Sequence, residues 1–243
     1  MRTKLFTIFF LAFSAFPIFA SEVWETVEDI VVNNITATKR ILASDNMART
    51  INTTENGENE TIIDLAADKI TLINHKNRSY QVLKLSEYLK FAEQLAEELK
   101  SRGQIDQSKV APKVTFASQG NETVGRWNCE VWAVSVDGKP YSRVWVAAEL
   151  KDSPFIAFRK KFSAVFPESI AKYRNIESVI ESNFFDKGMI VKTVRAAASN
   201  RMPTVTNTLV SLKRSDLKAI TFKIPEGYQN KSAGATEETT KQK

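Results

Sequence analysis

The side chains that most often carry chemistry are scarce in this chain. It has one histidine, His75, and one cysteine, Cys129. A histidine-based triad would have to use His75, and a transition-metal site normally draws on more nitrogen or sulfur donors. His75 falls in the turn-like stretch INHKNR, where a solvated polar residue is expected. Cys129 has no second cysteine to bridge with, so it reads as a small buried side chain rather than a reactive thiol. Asp64 lies near Asp68, and Glu97 is next to Glu98, but neither pair comes with a partner that would raise a pKa. Glycosidase carboxylates can be distant in sequence, so a carboxylate-based hydrolase stays as the least favoured reading. The chain contains no G-x-x-x-x-G-K-[ST], G-x-G-x-x-G or G-x-S-x-G, and only eight glycines. The expectation is a non-enzyme with no catalytic residues, no cofactor and no metal ligands.

What the chain offers instead is apolar surface. Three of its four tryptophans and its cysteine lie in residues 125–146, GRWNCEVWAVSVDGKPYSRVWV. Six of the nine phenylalanines that follow residue 20 lie in residues 154–185. The candidate ligand-binding residues are therefore Trp132, Tyr141, Arg143 and Trp145 on strands, with Phe155, Phe158 and Phe162 on a helix. Together they would line a pocket for an acyl chain, a lipid or an apolar peptide. The same aromatics would equally fill a dry core. Arg143 can stack on an indole in either case. Arg159, Lys160 and Lys161 read as a solvated helix face, or as a contact for anionic headgroups or an acidic partner.

The elements that would position these residues follow from periodicity. From Glu25 to Leu83 the apolar period is mostly two, with turn signals at Ser44-Asp45-Asn46, Asn56-Gly57, Ala67-Asp68 and His75-Lys76-Asn77, so an antiparallel meander is expected. The period then changes: Tyr88, Phe91, Ala92, Leu95, Ala96 and Leu99 share a helical face, which should lie on the sheet. Ser86 can cap that helix and Gly103 can end it. Strands return at residues 113–118 and on both sides of Asp137-Gly138, a strong hairpin signal. With those two residues as the turn, Trp132, Val134, Tyr141, Arg143 and Trp145 share one face, and Cys129, Val131, Ala133, Val144 and Val146 the other; an odd loop would reverse one strand's share. Both faces are apolar, so both need cover. Residues 154–166 read as a helix broken by Pro167, residues 168–185 as a second, and residues 189–198, 205–212 and 219–225 as closing strands. The order predicts one α+β domain: a strongly curved antiparallel sheet, or half-barrel, with helices against its concave side or mouth.

The ends of the chain speak to location. MRTK followed by LFTIFFLAFSAFPIFA has the basic start, apolar core and small terminal residue of a secretory signal peptide over residues 1–20. Without Arg2 and Lys4 the formal charge falls from +6 to +4, which lacks the basic stripe of a nucleic-acid binder. No other stretch is apolar enough to span a bilayer. Six N-x-S/T triplets, at Asn34, Asn52, Asn59, Asn77, Asn121 and Asn230, would be glycan acceptors in a eukaryotic secreted protein. The short leader and the lack of disulfides favour the periplasm of a Gram-negative bacterium. Residues 21–228 read as the single domain and residues 229–243 as a disordered polar tail.

Three segments, in order, carry a family resemblance. IIDLAADKITLINHKNRSYQVL resembles paired strands of exported bacterial half-barrel proteins. VGRWNCEVWAVSVDGKPYSRVWVAAEL resembles the cysteine-tryptophan hairpin of a periplasmic domain-of-unknown-function family, departing from it in the Arg126-Trp127-Asn128 approach to Cys129. ITFKIPEGYQ resembles that family's closing motif. The resemblance covers roughly residues 30 to 228. It implies a LolA/LppX-like half-barrel, a shape used by carriers of acyl chains, and it implies no catalytic residues. The expected function is a periplasmic, non-enzymatic protein that binds a lipid, an acyl chain or an envelope partner. The alternative is a structural or protein-interaction module of the envelope with a dry core.

Overall fold

A computed structural model of the protein describes residues 23–54, 57–102, 112–166, 176–195, 204–215 and 222–232. The expected leader, residues 1–20, lies outside these. Among the described residues the sheet has twelve strands and is not closed, running β12-β6-β5-β4-β3-β2-β1-β11-β10-β9-β8-β7. The first six strands form the expected meander: β1 (Val23–Val32), β2 (Ile35–Ala43), β3 (Met47–Thr54), β4 (Gly57–Asp64), β5 (Lys69–Asn74) and β6 (Ser79–Lys84). The turn after β1 uses Asn33 and Asn34, both at positive φ, a conformation asparagine tolerates. Then come helix α1 (Leu85–Ser101), the strands β7 (Val114–Val124), β8 (Trp127–Val136) and β9 (Lys139–Ala147), helices α2 (Pro154–Ala164) and α3 (Ile176–Phe184), and the strands β10 (Met189–Arg195), β11 (Val205–Ser215) and β12 (Gln229–Asn230). The chain alternates strands and helices in the expected order, but the balance is corrected: the sheet dominates, and the helices are an addition to it.

The pairing register places all three helices on one face. Ile41 lies across from Thr26, Glu28 on that same side of β1 from Leu209, Asn207 from Thr193, and Thr193 from Val144. Phe155 and Phe158 of α2 pack in one cluster with Ile41, Ala43 and Ala48. Ile180 and Phe184 of α3 pack on Val134, Val144 and Val146, and Leu89 of α1 packs near Ile70. Phe184 is wholly buried, which is worth about 1.5–3 kcal/mol for a side chain of its kind. Strand register shifts at Val27/Glu28, Val134/Ser135, Ser118/Asn121 and Ile190/Lys192, and each such bulge bends its strand.

Helix α1 corrects the expected packing of its stripe. Tyr88, Phe91 and Leu95 are exposed, Phe91 at 62%. The buried residues are Leu85 and Leu89, one turn apart at the start of the helix. Among the described side chains the helix thus seats its first turns on the sheet and shows Tyr88, Phe91 and Leu95 to solvent; Ala96 and Leu99 of the expected stripe lie outside those described. Asp68, rather than Ser86, supplies the cap: its carbonyl accepts from Leu85 N–H, and its carboxylate accepts from Ser86 N–H at 2.8 Å and Ser86 Oγ–H at 2.5 Å. Those two bonds hold the Asp68 carboxyl below the ordinary carboxylate value.

The end of the chain brings two further corrections. Residues 222–225 form no strand, and residues 219–221 lie outside the described residues. Phe222 packs on Val23, Leu42 and Ile51, on the face away from the helices. Gln229–Asn230, expected in a disordered tail, pair in parallel with Ser79–Tyr80 of β6. Gln229 N–H donates to Arg78 O at 2.9 Å, Lys231 N–H to Tyr80 O at 2.8 Å, and Val82 N–H to Ser232 Oγ at 2.7 Å. The described chain reaches Ser232, and residues 233–243 of the expected tail lie outside the described residues. This segment also half-buries His75, expected as a solvated turn residue: its Nδ1 is 2.6 Å from the Tyr228 hydroxyl.

Candidate functional site

Helix α2 follows β9 and a 3-10 turn, Ala148–Leu150, with Pro154 at its first turn, where a missing N–H costs nothing. Its phenylalanines recur at helical spacing and face the sheet. Phe158 and Phe162 stack at 5.9 Å between ring centres, and Phe162 meets Phe166 edge-on at 5.0 Å. Across from them β2, β3 and β4 present Ile41, Ala43, Ala48 and Ile63. Two of these are alanines, so the sheet leaves room where longer side chains would fill it. The result is a cleft of about 480 Å³ between helix and sheet, apolar in most of its lining. That volume falls in the range of roughly 300–1,000 Å³ common for small-ligand pockets.

The mouth of the cleft is charged. Arg159 of α2 pairs with Glu181 of α3, and Lys39 of β2 lies 3.4 Å from Glu28 of β1. Burial pulls the Arg159 guanidinium below its usual range, while Glu28 opposes that pull. Arginine stays protonated at any ordinary pH. A more polar hollow of about 470 Å³ shares Lys39, Arg159, Ser178 and Glu181 with the cleft and continues along β1, β10 and β11.

The sequence-predicted residues do not all meet there. Phe155, Phe158 and Phe162 line the cleft. Trp132, Tyr141, Arg143 and Trp145 do not, and they divide between the two faces of the sheet. The Asp137-Gly138 turn forms as expected, both residues at positive φ. Val136 pairs with Lys139 and Ser135 with Pro140, but Val134 then pairs with Ser142. A bulge at Tyr141 inserts one residue beside Pro140, which has no N–H for the ladder. The extra residue reverses the share of β9, so Trp132 lies across from Val144, and Trp145 from Val131.

Each aromatic then has its own surroundings. Trp132 packs on Phe184 at 5.7 Å, with the Lys187 ammonium 4.1 Å from its ring. Tyr141 donates to Glu177 at 2.8 Å, beside Arg195, and burial with that acceptor pushes its phenol up. On the other face Trp145 Nε1–H donates to Glu122 at 2.8 Å, while Arg143 and Lys192 cover its ring at 4.9 and 4.8 Å. The indole bond, then Arg143, hold the Glu122 carboxyl below the ordinary value. Cys129 is buried on this second face, and burial raises its thiol pKa. Both faces of the hairpin are apolar, as expected, but their membership is corrected: Val134, Val144 and Val146 lie with Trp132 under α3, and Cys129, Val131 and Ala147 lie with Trp127 and Trp145.

The carboxylates weighed for hydrolysis are separately engaged. Asp64 accepts from Ala67 N–H at 3.0 Å, Asp68 caps α1, and Glu98 pairs with Arg102 on the exposed side of α1. Sequence reasoning missed the sheet side of the cleft. Ala43 and Ala48 look like weak strand residues, and only their pairing, Ala43 across from Ala48, makes them a common floor. Among the described residues no helix is long and apolar enough to cross a membrane.

A family model described as a domain of unknown function, DUF4412, matches residues 29–228. That agrees with the resemblance drawn from the sequence, both in kind and in extent. No curated protein matches the chain. Among solved structures, an uncharacterized conserved protein from Thermus thermophilus is 8% identical, with a TM-score of 0.47, over 86% of this chain and 90% of that one. A structure of the Pseudomonas aeruginosa MucA/MucB complex contains a chain 9% identical, with a TM-score of 0.41, over 86% of this chain and 58% of that one. A LolA superfamily protein from Nitrosomonas europaea is 9% identical, with a TM-score of 0.31, over 86% of this chain and 91% of that one.

Proposed function

The chain belongs to the DUF4412 family, and we propose that this member is an exported, non-enzymatic envelope protein that holds a lipid or acyl chain in a half-barrel. The supporting observation is the cleft of about 480 Å³ between the α2 phenylalanines and the floor of Ile41, Ala43, Ala48 and Ile63. Such a surface has little to offer a polar substrate, and its charged rim suits a ligand with one polar end. The bulges of β7, β9, β10 and β11 support a curled sheet around that cleft.

Native mass spectrometry of the purified chain tests this reading. The expected result is a co-purifying hydrophobe of lipid size, or saturable uptake of a fatty acid by the delipidated protein. Ser163 lines the cleft on α2, and Ser163→Trp should fill it and abolish uptake while the fold persists. Absence of both a bound and a titratable hydrophobe would overturn the lipid reading.

A second reading, an envelope protein partner, is favoured by the outward Tyr88, Phe91 and Leu95 of α1. In-cell crosslinking from position 91 would trap a defined protein if it holds, and nothing reproducible if it does not.

A further inference from the structure

We propose that Glu58, Glu60 and His75 bind a divalent transition-metal ion of the zinc type beneath the C-terminal segment. The site stands on the face of the sheet away from the cleft, so it does not depend on the ligand reading above.

Strand geometry brings the three together. Glu58 and Glu60 are two apart on β4 and share a face, while Asn59 pairs with Asn74 and so sets His75 beside them. One donor atom from each residue lies within 4.8 Å of the other two. His75 Nε2 is 2.9 Å from Glu60 and 3.4 Å from Glu58. A tetrahedral zinc ion with bonds of about 2.0–2.1 Å keeps its ligand atoms about 3.3 Å apart, so those separations need little change.

The imidazole is held as a ligand would be. Nδ1 meets the Tyr228 hydroxyl at 2.6 Å, and the two rings pack edge-on at 5.5 Å. Nε2 is buried yet hydrogen-bonds to neither carboxylate despite the short distances. In the tautomer whose Nδ1–H donates to the Tyr228 hydroxyl oxygen, the Nε2 lone pair faces two anionic oxygens, an arrangement that a cation between them completes. A ligating histidine normally has its second nitrogen fixed by such an oxygen.

Charge agrees. Glu60 is 3% exposed and pairs through its other oxygen with Arg49, so one guanidinium stands against two carboxylates. Glu58, 41% exposed, leaves a path from solvent and an open position for water. One nitrogen with two carboxylates suits zinc, whereas calcium takes six or more oxygens. Sequence reasoning set a metal aside because His75 is the only histidine; the carboxylates supply the remaining donors. A bound ion would fasten Tyr228, and with it the segment leading to β12.

The test uses the untagged chain, stripped with chelator and titrated with zinc chloride by calorimetry. One ion should bind per chain, with His75→Ala abolishing the isotherm and Glu58→Gln weakening it at least tenfold. Tyr228→Phe should weaken it about tenfold, the lower end for loss of an outer partner. The lone histidine gives one set of ring resonances, which zinc should shift in wild type and Glu58→Gln should shift only at higher zinc. Circular dichroism of the variants separates lost binding from lost fold. No saturable zinc binding by wild type would overturn the proposal, and so would folded His75→Ala and Glu58→Gln variants that bind zinc as wild type does.

Discussion

Trp132 and Trp145 occupy neighbouring strands but opposite faces of the sheet, because the bulge at Tyr141 shifts β9 by one residue. Trp132 packs with Phe184 of α3, while Trp145 bonds Glu122 on the far side. Their energies should therefore add. Trp145→Ala, at a site 4% exposed, should cost about 3–5 kcal/mol and half-buried Trp132→Ala less. Urea denaturation of both single variants and the double should give a coupling below about 0.5 kcal/mol. A larger coupling would mean that the indoles share a pocket.

Glu122 carries a pH signature of that second face. Its carboxyl is held below 4.5, first by the Trp145 indole and then by Arg143. A depressed folded pKa adds stability that is present above the unfolded value and lost as pH falls through the folded one. Trp145→Phe should raise the Glu122 pKa toward 4.5, read by carboxyl NMR titration. The pH-dependent part of the stability gap between the two proteins should close on acidification. An unmoved Glu122 titration would show that the indole bond is not formed.

Cys129 should be silent in the folded protein. It is 1% exposed, and burial raises its thiol pKa, so little thiolate is available. Labelling by a thiol reagent should follow global unfolding, with a rate that rises with urea in step with the unfolded fraction. Fast labelling in native buffer would contradict the buried placement.

Gly188 allows β10 to start against the end of β9. A Cβ there would stand 2.4 Å from the Ala147 carbonyl oxygen, and its φ is +156°. Gly188→Ala should force these strands apart and destabilise the protein by about 1–3 kcal/mol. Calorimetric melting is the direct check, and an unchanged melting temperature would refute the close approach.

Much of this architecture is legible in the sequence. Alternation marks β2 to β6, Asp137-Gly138 marks the hairpin, and the phenylalanine spacing marks α2. What hides is whatever depends on one extra residue or on distant chain. Pro140 is visible, but the bulge that follows it comes from the ladder with β8, and it sends Arg143 and Trp145 to the face away from Trp132. The stripe of α1 reads as a buried face, yet Phe91 is exposed, and among the described side chains it is Leu85 and Leu89 that find partners on the sheet beneath. His75 looks like a turn residue because Tyr228, which half-buries it, is 153 residues away.

The Asp68 cap has a mechanical consequence. Its backbone and carboxylate grip the first residues of α1 from the tip of the β4–β5 hairpin. The helix cannot fray from that end or pivot without undoing the hairpin tip, so Tyr88 and Phe91 stand out like fingers on a braced arm. Anything that grasps them pulls directly on the sheet.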